Sequence, residues 1–491
     1  MNNTFRCLFF LGLFLSVSVV QAQEAGTPAA YTLEDIIDFA KQHSSAALVA
    51  ETRKENRYWQ WRTYLSEYNP QLSLRGRFPE FNRTVVQAQQ PDGTFRFEPV
   101  TNNFLDLNLV LSQNIGLTGG QIFVNSQAQR FDDLAGNFTQ YSGNPGVLGF
   151  IQPMFGYNNL RWARKIEPLR YEESQKEYQE NLENVSIMAT DLFFNLLLAQ
   201  ISHEIAQKNF QNNDTIFKIG EGRYNLGKIA ENDLLQLELN VLNSRQDVSQ
   251  AELDLETSTL KLKTFIGWTG SDRINLVLPS EIPDFEVDET VAIKEARKNR
   301  SAAVGFRRQL LQAQAEVNKA KRDGGLNMDI FGTVGLANNG NTISDVYYRP
   351  TNQQSLSIGF QIPVLDWGRQ KSVRKTAEAN QKLIEYSVTQ DEVNFDQEVY
   401  TQVKQFKMLR DQLLITSKAD YISLNRYEIT RNRYLIGKIS ITDLTIALQD
   451  KDNAKRAYIS SLRNFWTAYY TLRNLTLYDF ENDRSLASMD Q

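Results

Sequence analysis

Residues able to do covalent, redox or acid–base chemistry are scarce in this chain. His43 and His203 are the only histidines, and both fall inside helical patterns far apart in sequence. Each reads as a helix-surface or packing residue rather than as a base or a metal ligand. Cys7 is the single cysteine, so the chain has no internal disulfide and no thiolate metal centre. No HExxH, GxSxG or Walker loop is present, and the carboxylates are spread as ordinary solvated helix charges. The expectation is a protein that is not an enzyme and holds no cofactor or metal.

What does stand out is a turn that occurs twice. Arg223-Tyr224-Asn225-Leu226-Gly227-Lys228-Ile229-Ala230-Glu231-Asn232-Asp233-Leu234 recurs 210 positions later as Arg433-Tyr434-Leu435-Ile436-Gly437-Lys438-Ile439-Ser440-Ile441-Thr442-Asp443-Leu444. Gly227 and Gly437 each fall where one helical pattern ends, where glycine can adopt the left-handed conformation that closes a helix. Lys228 and Lys438 then face the negative end of the helix dipole. Ser440 and Asp443 have capping-box spacing for the next helix; Asp233 holds the matching first-turn position, although Ala230 cannot cap. The turn is structural on this reading, and a hairpin tip displayed twice is also a surface that a docking partner would meet.

The elements around the turns are duplicated too. Pro153 matches Pro363 and Arg164 matches Arg374 at the same offset, while Ser45-Ala46-Ala47 matches Ser301-Ala302-Ala303 at an offset of 256. Residues 31–68 read as one helix of roughly 54 Å, opened by Thr32 and Asp35 and stopped by Asn69-Pro70; residues 288–323 are its counterpart. A long helix is expected over about 169–222, roughly 80 Å, and another over 369–434. Tyr178, Leu182, Val185, Ala189, Leu192 and Leu196 follow heptad spacing. Beyond each turn the rhythm resumes, with Ser244, Ala251 and Ser258 in one copy and Ala447, Ala454, Ser461 and Ala468 in the other. An ordinary four-helix bundle and a tight helical wall both fit these patterns.

Between the helices lie alternating segments. Leu72, Leu74 and Phe78 oppose Ser73, Arg75 and Arg77; Leu105, Leu107, Leu109 and Leu111 oppose Asp106 and Asn108; Met328 and Ile330 oppose Asn327 and Asp329; and Leu356, Ile358 and Phe360 oppose Ser355, Ser357 and Gln361. Such strands have one apolar and one wet face. A soluble sandwich and a membrane barrel both satisfy that pattern. The change of offset leaves 46 extra residues in the first half, read as one more hairpin or as a long surface loop. The runs 91–93, 142–146 and 338–341 carry turn chemistry and are expected in exposed loops.

The formal net charge of −5 and pI near 5.5 give no basic footprint for nucleic acid. Apolar residues 7–20 followed by Val20-Gln21-Ala22 read as a signal peptide over 1–22, with cleavage before Gln23. A membrane anchor is the other reading, but the run is shorter than the ~20 residues needed to span a bilayer. No later stretch reads as a membrane-spanning helix. The organisation is then a first repeat over 23–267, a linker over 268–287, a second repeat over 288–479, and a loose polar tail over 480–491.

Taken together, the duplicated order of elements, the prolines at the strand–helix junctions (Gln152-Pro153-Met154-Phe155-Gly156-Tyr157-Asn158 and Ile362-Pro363-Val364-Leu365-Asp366-Trp367-Gly368-Arg369) and the R-Y-x-x-G-K-I-x-x-x-D-L tips make the chain resemble the TolC-like outer-membrane efflux channels over essentially its whole mature length. The resemblance implies an α+β membrane protein: a homotrimer whose strands form one outer-membrane β-barrel in lipid, continuous with a long periplasmic α-helical barrel. It implies a passive exit duct of a tripartite efflux or secretion system, working with a periplasmic adaptor and an inner-membrane pump. Gly227, Lys228, Ile229, Gly437, Lys438 and Ile439 would be the docking residues, and Arg75, Asp106, Asn108 and Asp329 would line the barrel lumen. The 46 extra residues depart from the family pattern and bear on barrel size. The alternative is a periplasmic coiled-coil protein that tethers envelope layers.

Overall fold

A computed structural model describes residues 30–270, 273–279 and 281–486; the expected signal peptide over 1–22, with Cys7, lies outside them. The first half runs β1 (Ala30–Tyr31), α1 (Leu33–His43), α2 (Ser45–Ser66), β2 (Gln71–Gln89), β3 (Phe95–Ile115), β4 (Gly120–Asp133), β5 (Phe138–Met154), α3 (Asn159–Asn225) and α4 (Glu231–Ile266). The second runs β6 (Asn275–Leu276), α5 (Glu289–Asn299), α6 (Ser301–Asp323), β7 (Asn327–Gly340), α7 (Ile343–Tyr347), β8 (Thr351–Gln361), α8 (Arg369–Leu435), α9 (Ile441–Thr476), β9 (Tyr478–Asp479) and β10 (Arg484–Ser485).

The first helix of each repeat is broken rather than continuous. Ser44 is extended and its hydroxyl accepts from the Ala47 amide at 3.1 Å, so it ends α1 and caps α2. In the second repeat the break falls at Arg300, and the missing cap comes from another helix: Glu180 accepts from the Ser301 amide at 2.7 Å. No Gly or Pro marks either break, which is why composition alone hid them. The capping box of Thr32 and Asp35 forms as expected. The long helices α3 and α8 are 67 residues each, or about 100 Å. The third helix starts ten residues before the expected 169 because it continues through Pro168, whose cost is one local hydrogen bond and a clash.

Four helices lie side by side at each level of the rod. Below the middle the order is α4, α3, α9, α8; above it α2 packs on α3, and α6 lies between α3 and α8. At the middle, α1, α5 and the segment after α4 wrap the long helices over the main apolar core, which includes Ile36, Phe193, Phe194, Leu262, Ala292 and Phe465. Contrary to expectation, α3 contains a window apolar enough to cross a membrane, at mean hydropathy 1.5, but half of it is buried inside the fold. The residues after Asp479 form a hairpin rather than a loose tail up to Leu486: β9 pairs with β10, Leu486 is buried although residues 481–484 are exposed, and buried Asp479 meets Arg473 and Arg484 at 3.6 and 3.7 Å.

All six long strands form one antiparallel sheet in the order β2-β3-β4-β5-β7-β8. The offsets align β2 with β7 and β5 with β8, so β3 and β4 are the inserted hairpin and the surface-loop reading falls. Residues 142–146, expected as a loop, lie within β5 at a register shift between Gly143 and Gly146. A bulge there accommodates Pro145, which cannot donate to the ladder. Residues 338–340 likewise end β7, where the Asn338 amide donates to the carbonyls of Asp345 and Tyr348 and holds α7.

Candidate functional site

Each tip closes by the same backbone device. The Lys228 amide donates to Arg223 O at 2.9 Å and the Gly227 amide to Tyr224 O at 2.8 Å; Lys438 to Arg433 and Gly437 to Tyr434 repeat the pattern at 3.0 and 2.8 Å. This pair of bonds needs a left-handed residue, and Gly227 and Gly437 have φ of 67° and 75°. Nothing lies within 4 Å of where a Cβ would stand on either, so both are presented outward. Ser440 and Asp443 form the expected capping box; Ala230 makes no side-chain cap, and Asp233 occupies the first turn of α4.

The tips differ in what surrounds them. Tyr434 is packed with Tyr427, Leu444, Ala447 and Ile439 and is 7% exposed, whereas its counterpart Tyr224 is 39% exposed. Burial pushes the Tyr434 phenol above its ordinary pKa, with Arg223 acting in the opposite sense. Ile229 and Ile439 are half-buried, turned back on their own hairpins, while Leu226 and Ile436 are 73% and 65% exposed. Sequence reasoning passed over that second pair; the signal was an apolar residue directly before each left-handed glycine, where no heptad position requires one.

The register places Arg75, Asp106, Asn108 and Asp329 on one face of the sheet. Arg75 stands opposite Asn108, Asn108 opposite Gln127, and the same face continues through Asn125, Phe123, Phe331 and Asp329. Gln127 donates to Asp106 Oδ1 at 2.7 Å. The opposite face carries Leu72, Leu74, Leu107, Leu109, Leu111, Ile122, Val124, Leu148, Phe150, Val334, Leu356, Ile358 and Phe360, all exposed. A one-layer sheet that displays this much apolar surface is built for lipid rather than for water.

At the strand–helix junctions, Pro153 pairs opposite Asp329 near the end of β5, and Pro363 follows β8. Asn158 caps α3 through its Oδ1, and Asp366 accepts from the amides of Gly368 and Gln370 to start α8. No group of acidic, histidine or cysteine side chains suited to a metal is found among the described residues.

A lipid-facing sheet continuous with a long helical rod that ends in paired hairpin tips defines the class: an outer-membrane channel protomer with a periplasmic helical tunnel. The family model described as outer membrane efflux protein matches residues 119–268 and 292–476, and the chain belongs to that family. It is an outer-membrane efflux channel. Its fold is similar to that of the CmeC outer membrane channel of Campylobacter jejuni, at TM-score 0.66 and 15% identity over 97% of this chain and 94% of that one. It is also similar to the outer membrane protein VceC of Vibrio cholerae, at 0.64 and 14% over 90% and 95%. The MtrE outer membrane channel of Neisseria gonorrhoeae, in its open state, matches at 0.60 and 15% over 90% and 88%. No curated protein sequence matches the chain.

Proposed function

We propose that three copies of the chain close into one duct, and that its tips dock a periplasmic adaptor that couples it to an inner-membrane pump. The observation that carries the trimer is that both flanks of the protomer are unfinished. In the sheet, β2 and β8 are edge strands, and the hydrocarbon core gives unpaired backbone groups nothing to bond. In the rod, α4 leaves Leu235, Leu239, Leu242, Leu253 and Leu260 exposed, and α8 leaves Met408, Ile415, Ile422 and Ile429 exposed at seven-residue steps. Both are interface seams.

The duplication supplies the partner. Within the chain α3 of the first repeat lies against α9 of the second; the equivalent of that contact sets α8 of one copy against α4 of the next. A protein that merely tethers envelope layers would have no use for a two-faced sheet.

For the adaptor, the exposed surface of each tip includes Gly227 and Lys228 with Leu226, or Gly437 and Lys438 with Ile436. An apolar knob beside a lysine on a rigid turn suits a helical hairpin partner. The test is purification from outer membranes followed by light scattering in detergent and planar-bilayer recording. Heat-modifiable trimers that conduct ions support the duct; a monomer that needs no detergent contradicts it.

A further inference from the structure

The inserted hairpin has a consequence for the shape of the duct. The turn that joins β3 to β4 does not hang free but is fixed to the helical wall. Gln113 donates to Tyr68 O at 2.7 Å and Asn114 to Glu67 O at 3.0 Å, at the end of α2. Asn158, the cap of α3, donates to Leu117 O at 3.2 Å, and Gln152 donates to Thr118 O at 3.2 Å. The turn therefore sits at the strand–helix junction, between the two helices that flank it.

Above that turn the hairpin carries the same two faces as its neighbours. Ile122 and Val124 continue the exposed apolar face of Leu109 and Leu111, while Asn125, Gln127 and Gln129 continue the polar face of Asn108 and Asp106. Strand β4 is laddered on both sides, to β3 and to β5, over most of its length. A plug or a surface loop has no reason to alternate in phase with the wall.

We infer that the β3–β4 hairpin is barrel wall, so that the assembled pore has eighteen strands and is as wide as the helical tunnel beneath it. This rests on the trimeric reading above. Eighteen strands about 4.8 Å apart and tilted by about 40° enclose a cylinder about 36 Å across between backbones, whereas twelve would give about 24 Å. Four helices abreast per chain make a ring of twelve, which at about 9–10 Å between axes is about 34–38 Å across. With the hairpin in place the two rings match, and the tunnel runs into the outer membrane without narrowing. Amide side chains line much of it: Asn108, Asn125, Gln127, Gln129 and Asn144. These amides share their face with Arg75, Asp106 and Asp329, and a wide passage whose wall carries amides and charges of both signs fits bulky hydrated cargo of either charge.

The test uses the full-length protein in lipid vesicles and in detergent. Asn125→Cys should react with a membrane-impermeant thiol reagent. A fluorophore on Val124→Cys should be quenched by brominated lipid and ignored by aqueous quencher. Equal reaction of both positions with the aqueous reagent would overturn the inference. Electron cryomicroscopy of the unaltered protein is the second arm: eighteen strands support it, and a trimer with twelve strands and the hairpin outside the wall refutes it. A particle that scattering shows not to be trimeric would instead refute the trimeric reading on which it rests.

Discussion

Arg223 of the first tip donates from Nη2 to the carbonyl oxygen of Leu435 in the second at 2.9 Å, and its guanidinium lies 5.6 Å from the centre of the Tyr434 ring. One side chain thus ties together the ends of two rods that share no covalent link near that point. The Leu435 carbonyl belongs to the last turn of α8, where helix acceptors lack an internal partner and attract cations.

If the tips close the tunnel at rest, Arg223→Ala should loosen that closure. A charged hydrogen bond at this half-exposed site is worth about 1 kcal/mol, enough for about a fivefold shift toward the open form. Single-channel recording should show larger or more frequent openings; unchanged traces would make the bond incidental.

Docking at the tips predicts a difference between two substitutions of Gly437. Asparagine tolerates the left-handed conformation and valine resists it. Gly437→Asn should keep the turn and weaken export mildly, whereas Gly437→Val, combined with Gly227→Val, should abolish export while trimers persist. Minimum inhibitory concentrations and heat-modifiability on gels read the two effects separately.

The flank of α4 supplies a third expectation. Leu239→Asp together with Leu253→Asp places two charges in the proposed seam with α8 of the next copy, each costing several kcal/mol to bury unpaired. Trimers should be lost from detergent extracts while helical content by circular dichroism is unchanged. Intact trimers would put the seam elsewhere.

Asp479 predicts a pH dependence. Burial opposes its ionisation, but the Asn482 side chain and the Arg473 charge outweigh that and hold its carboxyl below the ordinary 3.8. A lowered acid contributes stability that is fully present above the unfolded value and is lost as pH falls through the folded one. Asp479→Asn, which removes the acceptor that Arg473 and Arg484 face, should destabilise the C-terminal hairpin at pH 7 by about 3 kcal/mol, and the gap between variant and parent should narrow as pH falls below the ordinary 3.8 and through the lowered folded value. Limited proteolysis after Tyr478 at both pH values measures it.

Much of the architecture was legible in the residues because it rests on local rules. The repeated Gly-Lys turn, the capping box of Ser440 and Asp443, and the leucine alternation of residues 105–111 each fix a backbone conformation or a face within a few positions. The start of α3 and the breaks at Ser44 and Arg300 were not legible. Helix propensity is blind to a cap such as Glu180 that arrives from 121 positions away, and long-range packing carries α3 through Pro168.

What the sequence determined by itself was a duplicated chain of long helices and two-faced strands with one Gly-Lys turn repeated at positions 227–228 and 437–438, since periodicity, composition and the paired motifs are properties of short stretches. Only the tertiary structure decided that β4 is laddered between β3 and β5 in one sheet, that Leu226 and Ile436 rather than Ile229 and Ile439 stand outward at the tips, and that the chain from Tyr478 to Leu486 closes into a hairpin. Each of these depends on which surfaces remain uncovered once distant segments have met, and spacing along one strand of sequence carries no information about that.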